Sequence, residues 1–206
     1  MKKIKFILVL LCLFCLLFSG CMSFNGNELP EVKKPIPPKT KPVIEMKIEK
    51  WEQKLNGEGA SRGVTSNKSN GYLVLKFILA RWYSKDLISD YGTIGSLGKI
   101  KPDYTLTLNG FRNEDMSWLG AILCGLTLYI IPSSSTMEFN LDLALKDHKT
   151  NKTYKLDAKN SLTVWFQLFF ILGLPVFWVS DYNMQYDTSM YVYHMFNEQG
   201  AFSEYY

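Results

Sequence analysis

Met137-Glu138-Phe139-Asn140-Leu141-Asp142-Leu143-Ala144-Leu145 alternates without a break. Apolar side chains hold the odd positions, and Glu138, Asn140, Asp142 and Ala144 the even ones. A period of two is the mark of a strand with one buried face. The next residues, Asp147-His148-Lys149-Thr150-Asn151-Lys152, are turn formers. They predict a hairpin whose second strand covers about 153–159. An isolated hairpin is marginal in water, so this one needs a larger sheet. Two further strands are available. Tyr104, Leu106 and Leu108 alternate with Thr105, Thr107 and Asn109, which predicts a strand over 103–111. Ile44, Met46 and Ile48 alternate with Glu45, Lys47 and Glu49, which predicts one over 43–51.

Between these strands lies a helical pattern. Ser69 or Asn70 can cap a helix running to about Ser89, with Leu75, Ile78, Leu79 and Trp82 on its apolar face. Residues 54–71 are rich in Gly, Ser and Asn and predict a loop. Gly57, Gly59 and Gly63 do not have the spacing of a phosphate-binding loop. The tail after Asp181 is rich in tyrosine and predicts a helix near 187–197. The fold class expected is α+β: a small antiparallel sheet, one long helix, and two hydrophobic segments.

Those two segments are the apolar runs 117–132 and 162–179. No charged residue occurs from Met116 to Met137 or from Asn160 to Ser180. Runs of that length are candidates to enter a membrane. Gly120, Gly125 and Pro132 interrupt the first, Gly173 and Pro175 the second. About 14 uninterrupted residues make a helix of roughly 21 Å, short of a hydrocarbon core of about 30 Å. Three arrangements follow: shallow insertion as a membrane-associated hairpin, two full spans, or burial in a globular core. Full spanning would put the strands over 136–159 across the membrane from 103–111, where they could not pair. The lysines of that hairpin, with none in the tail, favour spanning by the positive-inside rule. The expectation is the membrane-associated hairpin, with Trp118, Leu123, Tyr129, Trp165, Phe170 and Trp178 touching lipid.

The start of the chain supports that setting. Lys2, Lys3 and Lys5 precede an apolar run from Phe6 to Phe18, then Ser19, Gly20 and Cys21. This is the build of a secretory signal peptide. The stretch Leu17-Phe18-Ser19-Gly20-Cys21 resembles the lipobox of bacterial lipoproteins, with Phe18 where leucine is usual. The resemblance implies cleavage after Gly20 and lipidation of the Cys21 thiol. Residues 1–20 are then a signal peptide and 21–42 a lipidated, proline-rich tether. Pro30, Pro35, Pro37, Pro38 and Pro42 favour an extended spacer. A single domain occupies 43–206.

Removing the signal lowers the formal charge from +4 to +1, so nothing in the mature chain argues for nucleic acid. Cys12 and Cys15 leave with the signal and Cys21 would be acylated. Cys124 is left alone, and the fold must stand without an internal disulfide. Metal and catalytic patterns are wanting. His148 sits in a turn and His194 near the end, neither with metal-ligand spacing. Gly95-Ser96-Leu97-Gly98 is a turn and not a nucleophile elbow. No catalytic residue, metal ligand or cofactor is assigned. The layout is similar to that of small α+β envelope lipoproteins of unknown role. The resemblance implies a lipid-anchored envelope protein, in the outer membrane or the outer leaflet of the inner one. Its role would be structural or accessory, with membrane lipid as partner and an envelope protein complex as a second. Alternatives are an accessory subunit of an envelope transport or export complex, and an envelope hydrolase with an unrecognised site.

Overall fold

The computed structural model describes residues 20–26, 29, 30, 32, 34–55, 68–127, 130–167 and 174–206, with the backbone alone at 20–25, 166, 167 and 174–183. Six strands, β1 (Gly20–Asn25), β2 (Val43–Leu55), β3 (Asp90–Thr93), β4 (Tyr104–Met116), β5 (Ser133–Asp147) and β6 (Thr153–Gln167), form one sheet. Their order across it is β1-β6-β5-β4-β2-β3. Helices α1 (Lys68–Ser84), α2 (Trp118–Leu126) and α3 (Leu174–Glu198) complete the fold with a short 3₁₀ turn at Ser203–Tyr205.

The expected hairpin is present and longer than its alternation suggests, pairing Ser133 with Phe166 at one end and Lys146 with Thr153 at the other. β4 pairs antiparallel with β5 along its whole length, from Tyr104↔Asp147 to Met116↔Ser135. That pairing places β4, β5 and β6 in one sheet, which excludes two membrane spans separating them. The sheet is mixed and not purely antiparallel, because β2 runs parallel to both β3 and β4. A second long helix, α3, stands beside the expected α1 and includes the helix predicted near 187–197.

A register shift between Ile48 and Lys50 keeps β2 in phase with the core. The extra residue moves the inward face from Ile44, Met46 and Ile48 to Trp51, all buried. On β4 and β5 the inward residues are Tyr104, Leu106 and Leu108, and Leu141, Leu143 and Leu145. Against this face pack α1, through Leu75, Ile78, Leu79 and Trp82, and the second half of α3, through Val192, Tyr193 and Phe196. Gly71 lets α1 approach β2 closely, since a Cβ there would lie 3.1 Å from Trp51 Cβ and 3.2 Å from Ile48 Cγ2. The other face of the sheet carries the polar set of each strand. There Asp142 stands opposite Asp157. Partial burial, then the neighbouring Asp157 carboxylate, holds the Asp142 carboxyl above its usual range.

One end of the sheet is closed by aromatic rings. Tyr193 stacks on Phe202 at 4.9 Å, and Trp82 meets Tyr193 edge-on at 5.2 Å. Trp82 Nε1 donates to the Ser189 carbonyl at 2.9 Å, and Tyr104 OH to the Ala201 carbonyl at 2.6 Å. Burial pushes the Tyr104 and Tyr193 hydroxyls well above the usual tyrosine range. The β5–β6 turn belongs to this end. Asp147 takes hydrogen bonds from Lys149 N, Thr150 N and Thr150 Oγ1. These outweigh its burial and hold its carboxyl below the usual range.

The expected tether is in part bound to the body. Gly20–Asn25 is an edge strand on β6. Pro38 and Pro42 are buried, and Lys39 N and Thr40 N donate to the Tyr205 carbonyl. The second apolar segment also departs from expectation. Its start, 162–167, continues β6, with Leu162 and Val164 buried beside Met184. Its end, from Leu174, opens α3, and 168–173 lie outside the described residues. It therefore does not project as one arm of a hydrophobic hairpin. The run Leu162-Thr163-Val164 is strand alternation, and pairing to β5 and β1 gives its backbone the partners that lipid could not. No helix among the described residues is long and apolar enough to cross a membrane.

Candidate membrane-facing site

The first apolar segment folds as α2 and the turn after it. Ser117 caps the helix, its Oγ accepting from Gly120 N at 3.1 Å. Thr127 closes it by donating to the Leu123 carbonyl at 2.7 Å. The helix sits on the start of β5. A Cβ at Gly120 would come within 3.2 Å of Ser133 Oγ, so the glycine fits the helix onto that strand.

The faces of α2 are reversed from the usual pattern. A surface helix normally turns its large apolar residues toward the core. Here the inward side is small: Gly120 and Ala121 are partly covered and Cys124 is 2% exposed. The outward side is large and apolar. Trp118 and Leu119 are each 69% exposed and Leu126 is 76% exposed, with Ile122, Leu123, Ile130 and Ile131 also exposed. Contiguous exposed apolar surface without a charge marks a place where a protein meets lipid or another protein.

The register fixes what lies beside this helix. Cys21 is paired with Phe166, and Phe166 with Ser133. Ser133 is the first residue of β5, next to the turn that follows α2. The backbone of Cys21, the end of β6 and the apolar helix therefore share one end of the sheet. Trp165, one residue back on β6, is 39% exposed there.

Of the residues expected to touch lipid, Trp118, Leu123 and Trp165 come together at this end. Tyr129 and Phe170 lie outside the described residues, and Trp178 is described only as backbone within α3. The individual lipid contacts had not included Leu119, Ile122, Leu126, Ile130 or Ile131, although all lie within the segment 117–132. Their signal is the helical spacing of 118, 119, 122, 123 and 126, which places them on one side.

The histidines have ordinary partners. His148 Nε2 lies 2.8 Å from Thr105 Oγ1, and His194 Nε2 lies 3.0 Å from Glu198 one helical turn on. Among the described residues no group of three or more His, Cys, Asp or Glu side chains could hold a metal ion.

No protein-family model matches the chain, and no curated protein does. Solved structures it is similar to include a point-substituted PelC dodecamer from Paraburkholderia phytofirmans, at 8% identity and a TM-score of 0.27, covering 72% of this chain and 82% of that one. A second form of the PelC dodecamer from the same organism gives 10% identity and a TM-score of 0.21, over 70% and 80% of the two chains. Likeness at this level carries no argument about the present chain.

Proposed function

We propose that this chain is a lipid-anchored cell-envelope protein whose α+β domain rests on the bilayer through α2. Acyl chains on Cys21 would tether it, and the exposed face of α2 would sink to the depth of the headgroup boundary. The role is structural or accessory, exercised through membrane and protein contacts. The observation that carries this reading is the reversed helix: Trp118, Leu119, Ile122, Leu123 and Leu126 face outward at the end of the sheet where Cys21 is paired. Acylation contributes about 0.8 kcal/mol per buried CH₂, and stable anchoring needs a second element besides one chain. An apolar helix lying in the interface supplies such an element without crossing the membrane.

The experiment uses the full chain in a bacterial host with a palmitate label. Wild-type protein is expected to be cleaved, labelled and recovered with membranes. Cys21→Ser is expected to remain uncleaved and unlabelled. Normal cleavage with undiminished label in Cys21→Ser would overturn the anchor. Leu123→Arg with Leu126→Arg is expected to keep the label yet reduce crosslinking of α2 to bilayer probes. If that double variant instead lost a specific protein crosslink while its lipid contact was unchanged, α2 would be a docking surface for an envelope complex.

A further inference from the structure

The first residues after the expected cleavage point are built into the sheet. Gly20 to Asn25 pair antiparallel with Gln167 to Leu162. The pairing continues one residue on. Gly26 N donates to the Ser161 carbonyl at 3.1 Å, and Ser161 Oγ donates to the Gly26 carbonyl at 3.1 Å. A Cβ at Gly26 would stand 2.7 Å from that Oγ, so the glycine lets the strand close on β6. Farther along the chain, Lys39 N and Thr40 N are fastened to the Tyr205 carbonyl. As a free spacer, residues 21–42 extended at about 3.1 Å each would reach roughly 70 Å. Docked on β6, the backbone of Cys21 is one strand spacing, about 5 Å, from Phe166 and two, about 10 Å, from Ser133.

The hydrogen-bond ladder distinguishes neighbouring residues of β1. In an antiparallel pair, opposite residues alternate between those that exchange hydrogen bonds and those that do not. Continuing the register puts Gly26 opposite Ser161, and Gly26 N bonds that residue's carbonyl. The N–H groups of Phe24 and Met22 therefore also aim at β6, and those of Asn25 and Ser23 aim away from it, along the outer edge. Proline is tolerated on an edge strand where the missing N–H would have faced outward.

We propose that β1 is a latch. Docked on β6, it fixes the acylated terminus beside α2, so that acyl chains and apolar helix meet the bilayer as one rigid unit, a role that rests on Cys21 being the anchor. The domain then has no slack to leave the membrane, and its protein contacts fall within the height of the sheet, about 45 Å. The test uses lipidated full-length protein in phosphatidylethanolamine/phosphatidylglycerol vesicles, with Cys124→Ala and spin labels on Ser23→Cys and Lys146→Cys. Ser23 pairs with Val164, and Val164 with Ser135. Two strand spacings and the run along β5 from Ser135 to Lys146 set positions 23 and 146 about 40 Å apart. Double electron-electron resonance should give one narrow distance distribution there. Asn25→Pro should keep it narrow, and Phe24→Pro should widen it about twofold or more, because it removes a ladder donor. A broad distribution in the parent, or the same response to both prolines, would overturn the latch. Palmitate labelling of the same samples tells the two failures apart. Unlabelled parent protein removes the anchor and the latch's role with it, whereas labelled protein with a broad distribution keeps the anchor and removes the latch alone.

Discussion

The two ends of the sheet share β2, β4, β5 and β6 and treat apolar side chains in opposite ways. At the end holding Tyr104, Leu145 and Tyr154, the rings of Trp82, Tyr193 and Phe202 close over the core, and each of these three is fully buried. At the end holding Cys21, Ser133 and Trp165, the helix that could cover the strands turns Gly120, Ala121 and Cys124 inward and its large residues outward. Along β5 the two ends lie up to about 45 Å apart. The chain has aromatic residues enough to seal one end, so exposure at the other is not a failure to find a core. Under the proposed function it is a face for the bilayer to cover, and Cys21 is paired beside it.

The closed end is expected to carry the stability. Phe202→Ala removes a ring stacked on Tyr193 and is expected to cost about 3–5 kcal/mol. Leu141→Asp, a charge at a residue 2% exposed, is expected to cost several kcal/mol. Leu126→Asp on the exposed face of α2 should change stability by no more than about 0.5 kcal/mol. Chemical denaturation of the three variants in detergent checks this ordering, and equal losses at both ends would mean that α2 is packed.

Gly71→Ala tests a smaller effect. The methyl would press on Trp51 and Ile48, so α1 should be pushed off β2 at a cost of about 1–3 kcal/mol, despite alanine's better helix propensity. A stabilised variant would show that α1 can retreat freely.

Two aspartates, Asp147 and Asp142, give the smallest effects and opposite signs. Asp147 has a carboxyl held below its unfolded range, so its contribution is present above the unfolded value and is lost as pH falls through the folded one. Asp147→Asn should lose about 1 kcal/mol at neutral pH and little in acid. Asp142 has a carboxyl held above its unfolded range, so at neutral pH it weakens the fold, and that penalty is relieved as pH falls through the folded value. Asp157→Asn should therefore stabilise by about 0.2–1 kcal/mol at neutral pH, with salt reducing the gain. The gain should shrink as pH falls through the folded value of Asp142. Thermal midpoints across pH check both signs.

Much of the fold was legible in particular residues. Strict alternation at 137–145 located β5 and its buried face, and Leu75, Ile78, Leu79 and Trp82 located the inward face of α1. Parallel pairing of β2 with β3 and β4 was not legible, because local periodicity says that a strand exists and not which neighbour it takes. The second apolar segment was misread for a related reason. Leu162 and Val164 read as part of a continuous apolar run, when they extend the alternation begun at Tyr154. At the candidate site the charge-free run 117–132 was legible. Its inside-out packing was not, since small residues at 120, 121 and 124 become the inner face only once Ser133 is known to lie beneath them.

In the proposed arrangement the Cys21 end faces the bilayer and the aromatic end faces water. This placement is tested most directly by spin labels on the lipidated full-length protein in vesicles, with Cys124→Ala removing the native thiol. One label replaces Leu123 on α2, the other Lys149 in the β5–β6 turn. The label at 123 is expected to relax with membrane-dissolved oxygen and to be shielded from a water-soluble nickel chelate, and the label at 149 to do the reverse. Equal access of the chelate to both positions would contradict it.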